Sequence, residues 1–238
     1  MEDSARSGKG PWSRPISLLA AMSSPAPPSG TATAPASSGN LGPGFDVLAL
    51  ALELRCRVTA TRADDWSIHQ DGATYVPESG DMVVRAAKAA AGTPMHLEIE
   101  NAIPRSRGLG SSSAVTTAAA AAATRADGRE PSSADLFAIV AALEGHGDNA
   151  AAAVYGGLVA VAGEQILQLG VSPQLRIVVG IPNSKLSTDH ARSVLSDEVD
   201  RWAASRNLAR LAFLIEGLRT GDLDVLAGAG GDELHELP

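Results

Sequence analysis

Pro104-Arg105-Ser106-Arg107-Gly108-Leu109-Gly110-Ser111-Ser112-Ser113-Ala114 runs directly into an alanine-rich stretch, Ala118 to Ala123. A loop of glycine and serine thus opens into a strong helix former. Gly108 and Gly110 let the backbone turn without a Cβ clash and come close to a bound group. The three serines are expected to cap the helix. The first amides of a helix have no internal partner, and its dipole favours negative charge there. Such a loop suits an anion, phosphate first. Upstream, Leu97-Glu98-Ile99-Glu100 alternates apolar and acidic residues, the pattern of a strand feeding the loop. The segment is not a P-loop, because no Gly-Lys-Ser/Thr follows the glycines. A plain tight turn before a helix is the alternative, and the loop alone does not separate the two.

Three further segments bear on the choice. Pro35-Ala36-Ser37-Ser38-Gly39-Asn40-Leu41-Gly42-Pro43-Gly44-Phe45-Asp46 leads into the apolar run Val47 to Leu52. Glu144-Gly145-His146-Gly147-Asp148-Asn149 precedes four alanines, Ala150 to Ala153. Ser187-Thr188-Asp189-His190-Ala191-Arg192 follows. In this order the four segments resemble the GHMP kinases, and within that family its homoserine kinase branch. Three positions depart from the family pattern: Gly39 replaces an alanine, Ala49 a glycine and Gly147 a proline.

The resemblance implies an α+β chain with the GHMP kinase fold. A ribosomal-S5-like ATP-binding domain would span residues 31–168. An incomplete ferredoxin-like domain would follow over 169–238, with a disordered Ser/Pro/Ala-rich tail over 1–30. It implies ATP as co-substrate, Mg²⁺ as cofactor and L-homoserine as acceptor, giving O-phospho-L-homoserine on the way to threonine. The loop from Pro104 to Ala114 would hold the triphosphate, and Ser112 and Glu144 would ligand Mg²⁺. A hydroxyl and one carboxylate, completed by water and phosphate oxygens, suit that hard cation. Asn40 and Asp46 would meet the substrate ammonium. Thr188 and Arg192 would meet its carboxylate, Arg192 as a planar two-pronged donor. His146 and Asn149 would orient the reacting hydroxyl, with Asp148 beside them, since an aspartate acts as base in some related kinases. A homodimer is common in the family. The chain ends at Pro238, ahead of an arginine and a glycine-rich stretch that the family carries, so weak or absent activity is expected of it as it stands. The alternatives are another GHMP small-molecule kinase and a non-catalytic ATP- or metabolite-binding remnant.

Bulk properties point the same way. The chain has 238 residues, 45% of them hydrophobic, and a formal net charge of −8. That charge argues against nucleic acid or an anionic membrane as partner. No apolar run is long enough to span a bilayer, and a cytoplasmic enzyme is expected. The single cysteine, Cys56, reads as a core thiol among Leu54, Arg55 and Arg57. The histidines are scattered, without zinc spacing. Strands are expected over Leu48–Thr61 and Leu175–Ile181, the latter buried. Helices are expected over Asp81–Ala91, Ser113–Thr124, Ser132–Glu144, Thr188–Leu195 and within Glu198–Leu218. Met22 lies close to the first motif and reads as the natural start. A chain beginning at Met22 should therefore melt at the same temperature as the longer one, followed by circular dichroism; loss of folding would contradict this.

Overall fold

The structure is a computed structural model that describes residues 28–181, 188–196 and 198–235, with only the backbone of Thr188–His190. The Met22 start and residues 1–27 of the expected amino-terminal tail lie outside these residues; Ser29 and Gly30, placed in the tail, instead open the first strand, where pairing with Thr61 and Ala60 orders them. Two long strands organise the sheet, β1 (Ser29–Gly39) and β2 (Leu48–Arg62), paired antiparallel. The hairpin β3 (Ser67–Gln70) and β4 (Ala73–Tyr75) follows, then α1 (Met82–Ala91) and β5 (Met95–Asn101). β5 runs antiparallel to β2 beside Cys56–Arg62 and parallel to β3. The helices α2 (Ser111–Ala126), α3 (Ser133–Glu144) and α4 (Asp148–Tyr155) come next. The hairpin β6 (Leu158–Ala162) and β7 (Gln165–Leu169) then pairs beside the other end of β2, at Leu48–Leu50. The chain closes with α5 (Thr188–Ser193), α6 (Arg201–Thr220) and α7 (Leu223–Ala227). No helix among the described residues is long and apolar enough to cross a membrane.

Local chemistry sets the helix ends. Asp81, Ser132, Asp200 and Asp222 each accept from amides of the first turn of α1, α3, α6 and α7. Gly92, Gly145 and Gly221 end α1, α3 and α6 in the left-handed conformation.

The main core lies between one face of the sheet and α2. Alternate residues of the strands point inward and are buried: Ala32, Ala34 and Ala36 of β1, Cys56, Val58 and Ala60 of β2, and Met95, Leu97 and Ile99 of β5. The facing surface of α2 is the buried run Ala118–Ala123. These short side chains bring the helix so close that a Cβ on Gly30 would lie 2.4 Å from Ala122 O. A second cluster joins Phe137, Val140, Ala150–Ala152, Val159 and Val161. A third, of Leu50, Leu158 and Leu218 with Leu41, Leu214 and Leu226 around it, holds α6 and α7 against the β2–β6 end of the sheet.

One further expectation needs correction. Leu175–Ile181 is not a buried strand: Val178 is 91% exposed and the segment pairs with no strand among the described residues. Its β-branched, apolar composition matches a buried strand, but a strand needs a neighbour to take its backbone groups. The strand expected over Leu48–Thr61 is present as β2, with one break in its pairing to β1. Pro35 faces Arg55 while Ser37 faces Ala51, so Leu52–Leu54 bulge out of register. Glu198–Leu218 resolves into the single helix α6.

Burial pushes the Cys56 thiol up to about 12, so it stays protonated at neutral pH. Ellman-type reagent should leave it unmodified in the folded protein and label it fully in urea. Leu97, fully buried, contributes roughly 1.5–3 kcal/mol by burial alone. Leu97→Ala should cost about 2–5 kcal/mol in urea unfolding.

Candidate active site

The loop between β5 and α2 is shaped by three left-handed residues, Ser106, Gly108 and Gly110. Gly110 occupies the N-cap of α2, and no side chain among the described residues caps the first amides there. The expectation that a serine caps this helix is therefore corrected. Ser111 instead turns back to the strand: its Oγ accepts from Asn101 Nδ2 at 3.0 Å. Ser112 is exposed, and Ser113 is buried. Thr116 Oγ1 donates to the carbonyls of Ser112 and Ser113, which stiffens the first turn. Within the loop, the buried Nη1 of Arg107 meets no acceptor among the described residues, while Arg105 lies 3.6 Å from exposed Asp71. Leu109 is buried, and its carbonyl accepts from Ser37 N at 3.1 Å. The loop is thus bonded to β1 at the bulge. Pro104 and Ala114 bound it at either end.

The turn after β1 is equally constrained. Asn40, Leu41, Gly42 and Asp46 all have positive φ. Asn40 Oδ1 accepts from Asp46 N at 3.0 Å and Asn40 O from Gly44 N at 3.0 Å, which closes the turn on itself. A Cβ on Gly44 would lie 2.6 Å from Asn40 O, so only glycine fits there. The turn projects the Asp46 carboxylate into a two-pronged pair with the Arg192 guanidinium, Nη1 at 2.9 Å from Oδ2 and Nη2 on Oδ1. Arg192 also lies over the Phe45 ring at 5.6 Å, and Phe45 stacks on His235 at 4.8 Å. The Thr188 side chain lies outside the described residues.

The third segment joins α3 to α4. Gly145 breaks α3 just after Glu144, whose side chain is only 9% exposed. Glu144 Oε1 is buried and meets no hydrogen-bond donor among the described residues. His146 Nδ1 donates to Asp148 Oδ1 at 2.9 Å, and its Nε2 lies 3.9 Å from Glu144 Oε2. The hydrogen bond to Asp148 raises the imidazole above its usual range against its burial; Glu144 adds to the rise and Arg192 opposes it. Asn149 Oδ1 accepts from Ser37 Oγ at 2.7 Å. The sequence-predicted residues of three segments therefore converge. Asp46 and Arg192 bond directly, Arg192 acts on the field at His146, and His146, Asp148 and Asn149 form one chain of hydrogen bonds.

Sequence reasoning overlooked four contributors. Ser37, quoted within its motif, carries no signal marking it from Ser38. Asn207 sits in mid-helix, yet its Nδ2 donates to Pro43 O at 2.9 Å and docks α6 on the Asn40–Asp46 turn. Phe45 and His235, which stack on each other, have no role assigned from sequence. Arg206 and Arg210 hold Glu233, whose carboxyl drops to about 2, and so fix the segment carrying His235. Two open clefts, of about 320 and 340 Å³, lie elsewhere, by Arg129 and by Glu53, and neither includes any residue of the loop.

A glycine- and serine-rich loop thus leads into an uncapped helix start on a mixed sheet, and Glu144 Oε1 is a buried carboxylate oxygen without a hydrogen-bond partner among the described residues. The GHMP kinases N-terminal domain matches residues 81–157, which include α1, β5 and the loop. The homoserine kinase of Moorella thermoacetica is 38% identical over 85% of this chain and 73% of its own length. That of Thermus thermophilus is 37% identical, over 85% and 72%. The crystal structure of homoserine kinase from Cytophaga hutchinsonii superposes with a TM-score of 0.72 at 24% identity, covering 88% of this chain and 73% of that one. The chain has the α+β fold of the GHMP kinases and belongs, within them, to the homoserine kinase family.

The raised imidazole yields a stability prediction. A group whose pKa rises on folding stabilises fully below its unfolded value and loses that contribution as pH climbs through the folded value. His146 therefore stabilises most below its ordinary 6.5. With divalent ions chelated, His146→Gln should lower Tm more at about pH 6 than at about pH 8.5. Equal losses at both would contradict the pairing with Asp148.

Proposed function

We propose that the chain transfers the γ-phosphoryl group of ATP to the hydroxyl of L-homoserine, forming O-phospho-L-homoserine for threonine synthesis in the cytoplasm. The observation that carries this is the Asp46–Arg192 pair. Opposite charges from two remote segments meet beside His146 and Asn149, the arrangement an amino-acid zwitterion requires. In this reading the zwitterion exchanges with the pair, its ammonium on Asp46 and Asn40 and its carboxylate on Arg192 and Thr188. Asn207 and the self-bonded turn hold Asp46 rigid, so little reorganisation accompanies binding.

The loop from Pro104 to Ala114 receives the triphosphate. The α2 amides that no side chain caps point to anion binding, and Arg107 Nη1 needs an acceptor that a phosphate oxygen provides. The Glu144 carboxylate fits Mg²⁺ on one ground: its buried Oε1 lacks a donor, which a cation would satisfy. With the exposed Ser112 hydroxyl it forms a donor set typical of this ion, the remaining positions falling to water and phosphate. No cluster of three His, Cys, Asp or Glu placed for a metal occurs among the described residues, which fits an ion held mainly through substrate. Bound there, the ion would neutralise charge on the phosphates. His146 and Asn149 orient the acceptor hydroxyl, and Asp148 holds both. The hydroxyl oxygen bonds to the γ-phosphorus, the β–γ bridging bond breaks, and ADP and the hydroxyl proton are released.

Coupled ADP release on protein expressed from the complete reading frame tests the reading. Turnover should require L-homoserine and Mg²⁺ together. Asp46→Asn and Arg192→Gln should each lower kcat/KM for homoserine by roughly 10–100-fold, the equivalent of about 1.4–2.8 kcal/mol, with KM for ATP within about twofold. ATP binding without homoserine-dependent ADP release would refute homoserine as the acceptor.

A further inference from the structure

Ser37 is fully buried, yet its motif gives it no role in holding substrate or nucleotide. It makes two hydrogen bonds, one from its backbone and one from its hydroxyl. Its backbone N–H donates to Leu109 O of the phosphate loop at 3.1 Å. Its Oγ donates to Asn149 Oδ1 at 2.7 Å. It does so from the point where β1 and β2 slip register, which turns it out of the regular ladder.

The surroundings fix which way the Asn149 amide faces. Asn149 Nδ2 lies 3.5 Å from Asp148 Oδ1, an acceptor. Reversing the amide would set oxygen against the Asp148 carboxylate, and Ser37 would give up an acceptor for its proton. Ser37 as donor and Asp148 as acceptor therefore choose the same orientation. Two missing side chains make the space. A Cβ on Gly110 would lie 2.1 Å from Ser37 Oγ, and one on Gly39 would lie 2.9 Å from Asn149 Nδ2 and 2.7 Å from Asp148 Oδ2.

We propose that Ser37 is a positioning residue: it holds the Asn149 carboxamide with Oδ1 inward, so that one Nδ2 hydrogen meets Asp148 and the other is left to donate to the acceptor hydroxyl, in register with the phosphate loop. The role of Asn149 toward the hydroxyl rests on the function proposed above. With Oδ1 turned toward Ser37, Asn149 meets the hydroxyl oxygen as a donor, through the Nδ2 hydrogen not directed at Asp148. It therefore orients a lone pair and removes no proton. The same serine ties that orientation to the loop, so acceptor and phosphoryl donor are aligned by one side chain and one amide.

The test is a double-mutant cycle on the full-length protein. Ser37→Ala should lower kcat about tenfold and leave KM for ATP within about twofold. In an Asn149→Ala background the same change should have almost no further effect on kcat. Equal tenfold losses in both backgrounds, or an effect confined to KM for ATP, would reduce Ser37 to a fold or loop element and overturn the proposal. A second measurement does not depend on turnover. The Asn149 side-chain amide resonances, assigned as the pair lost in Asn149→Ala, should shift and broaden in Ser37→Ala protein that retains its other backbone resonances. An unchanged pair would overturn the proposal even in protein inactive toward homoserine. A shifted pair in such protein would support the Ser37–Asn149 coupling while refuting the acceptor assignment.

Discussion

The close approach of α2 to β1 is the constraint on which the rest of the molecule depends. Six consecutive alanines and the bare Gly30 let the helix lie nearly backbone to backbone on the strand. A larger side chain at either surface would lift the helix by more than a hydrogen bond can stretch. Because α2 lies so low, its first turn ends beside the β1 bulge, where Ser37 reaches the Leu109 carbonyl. The loop from Pro104 to Gly110 is then a fixed extension of the core. The alanine run also carries little apolar area, so stability falls to the strands it covers, with Val58, Met95 and Leu97 fully buried.

Electrostatics organises the site in a different way. Asp46 and Arg192 are part-exposed and neutralise each other, so their pairing adds little stability. In the proposed reading its value is that neither charge is left alone before a zwitterion replaces both partners. Glu144 shows the opposite logic: a buried carboxylate oxygen without a donor is costly by itself and becomes favourable once a cation arrives. The His146–Asp148 bond lies between these regions and feels both, raised by Glu144 and lowered by Arg192.

Much of this was legible in the sequence, and the rest has definite physical reasons for being hidden. Ser132 with Asp135, Asp81 before an apolar run, and glycines after Ala91 and Glu144 mark helix ends through local chemistry, and the helices begin and end there. The strand before the serine loop followed from alternation alone. The serine caps did not follow, because propensity ranks serine high at an N-cap without seeing that Gly110 already sits there in a left-handed turn. Leu175–Ile181 misled because composition reports what a segment could bury and not whether a neighbour exists. At the site, residue types marked Asp46, Glu144 and Arg192 as candidates, and the fold brings Asp46 and Arg192 into contact. Ser37, Asn207 and His235 matter through contacts with residues far along the chain, and no local pattern encodes those.

A crystal structure with a non-hydrolysable ATP analogue, Mg²⁺ and L-homoserine tests the central claim most directly. The account predicts phosphates on the amides at the start of α2, the metal between Ser112 and Glu144, and Asp46 and Arg192 separated by the bound amino acid. Nucleotide seated instead in the cleft by Arg129 or by Glu53, with the Asp46–Arg192 pair intact, would contradict it.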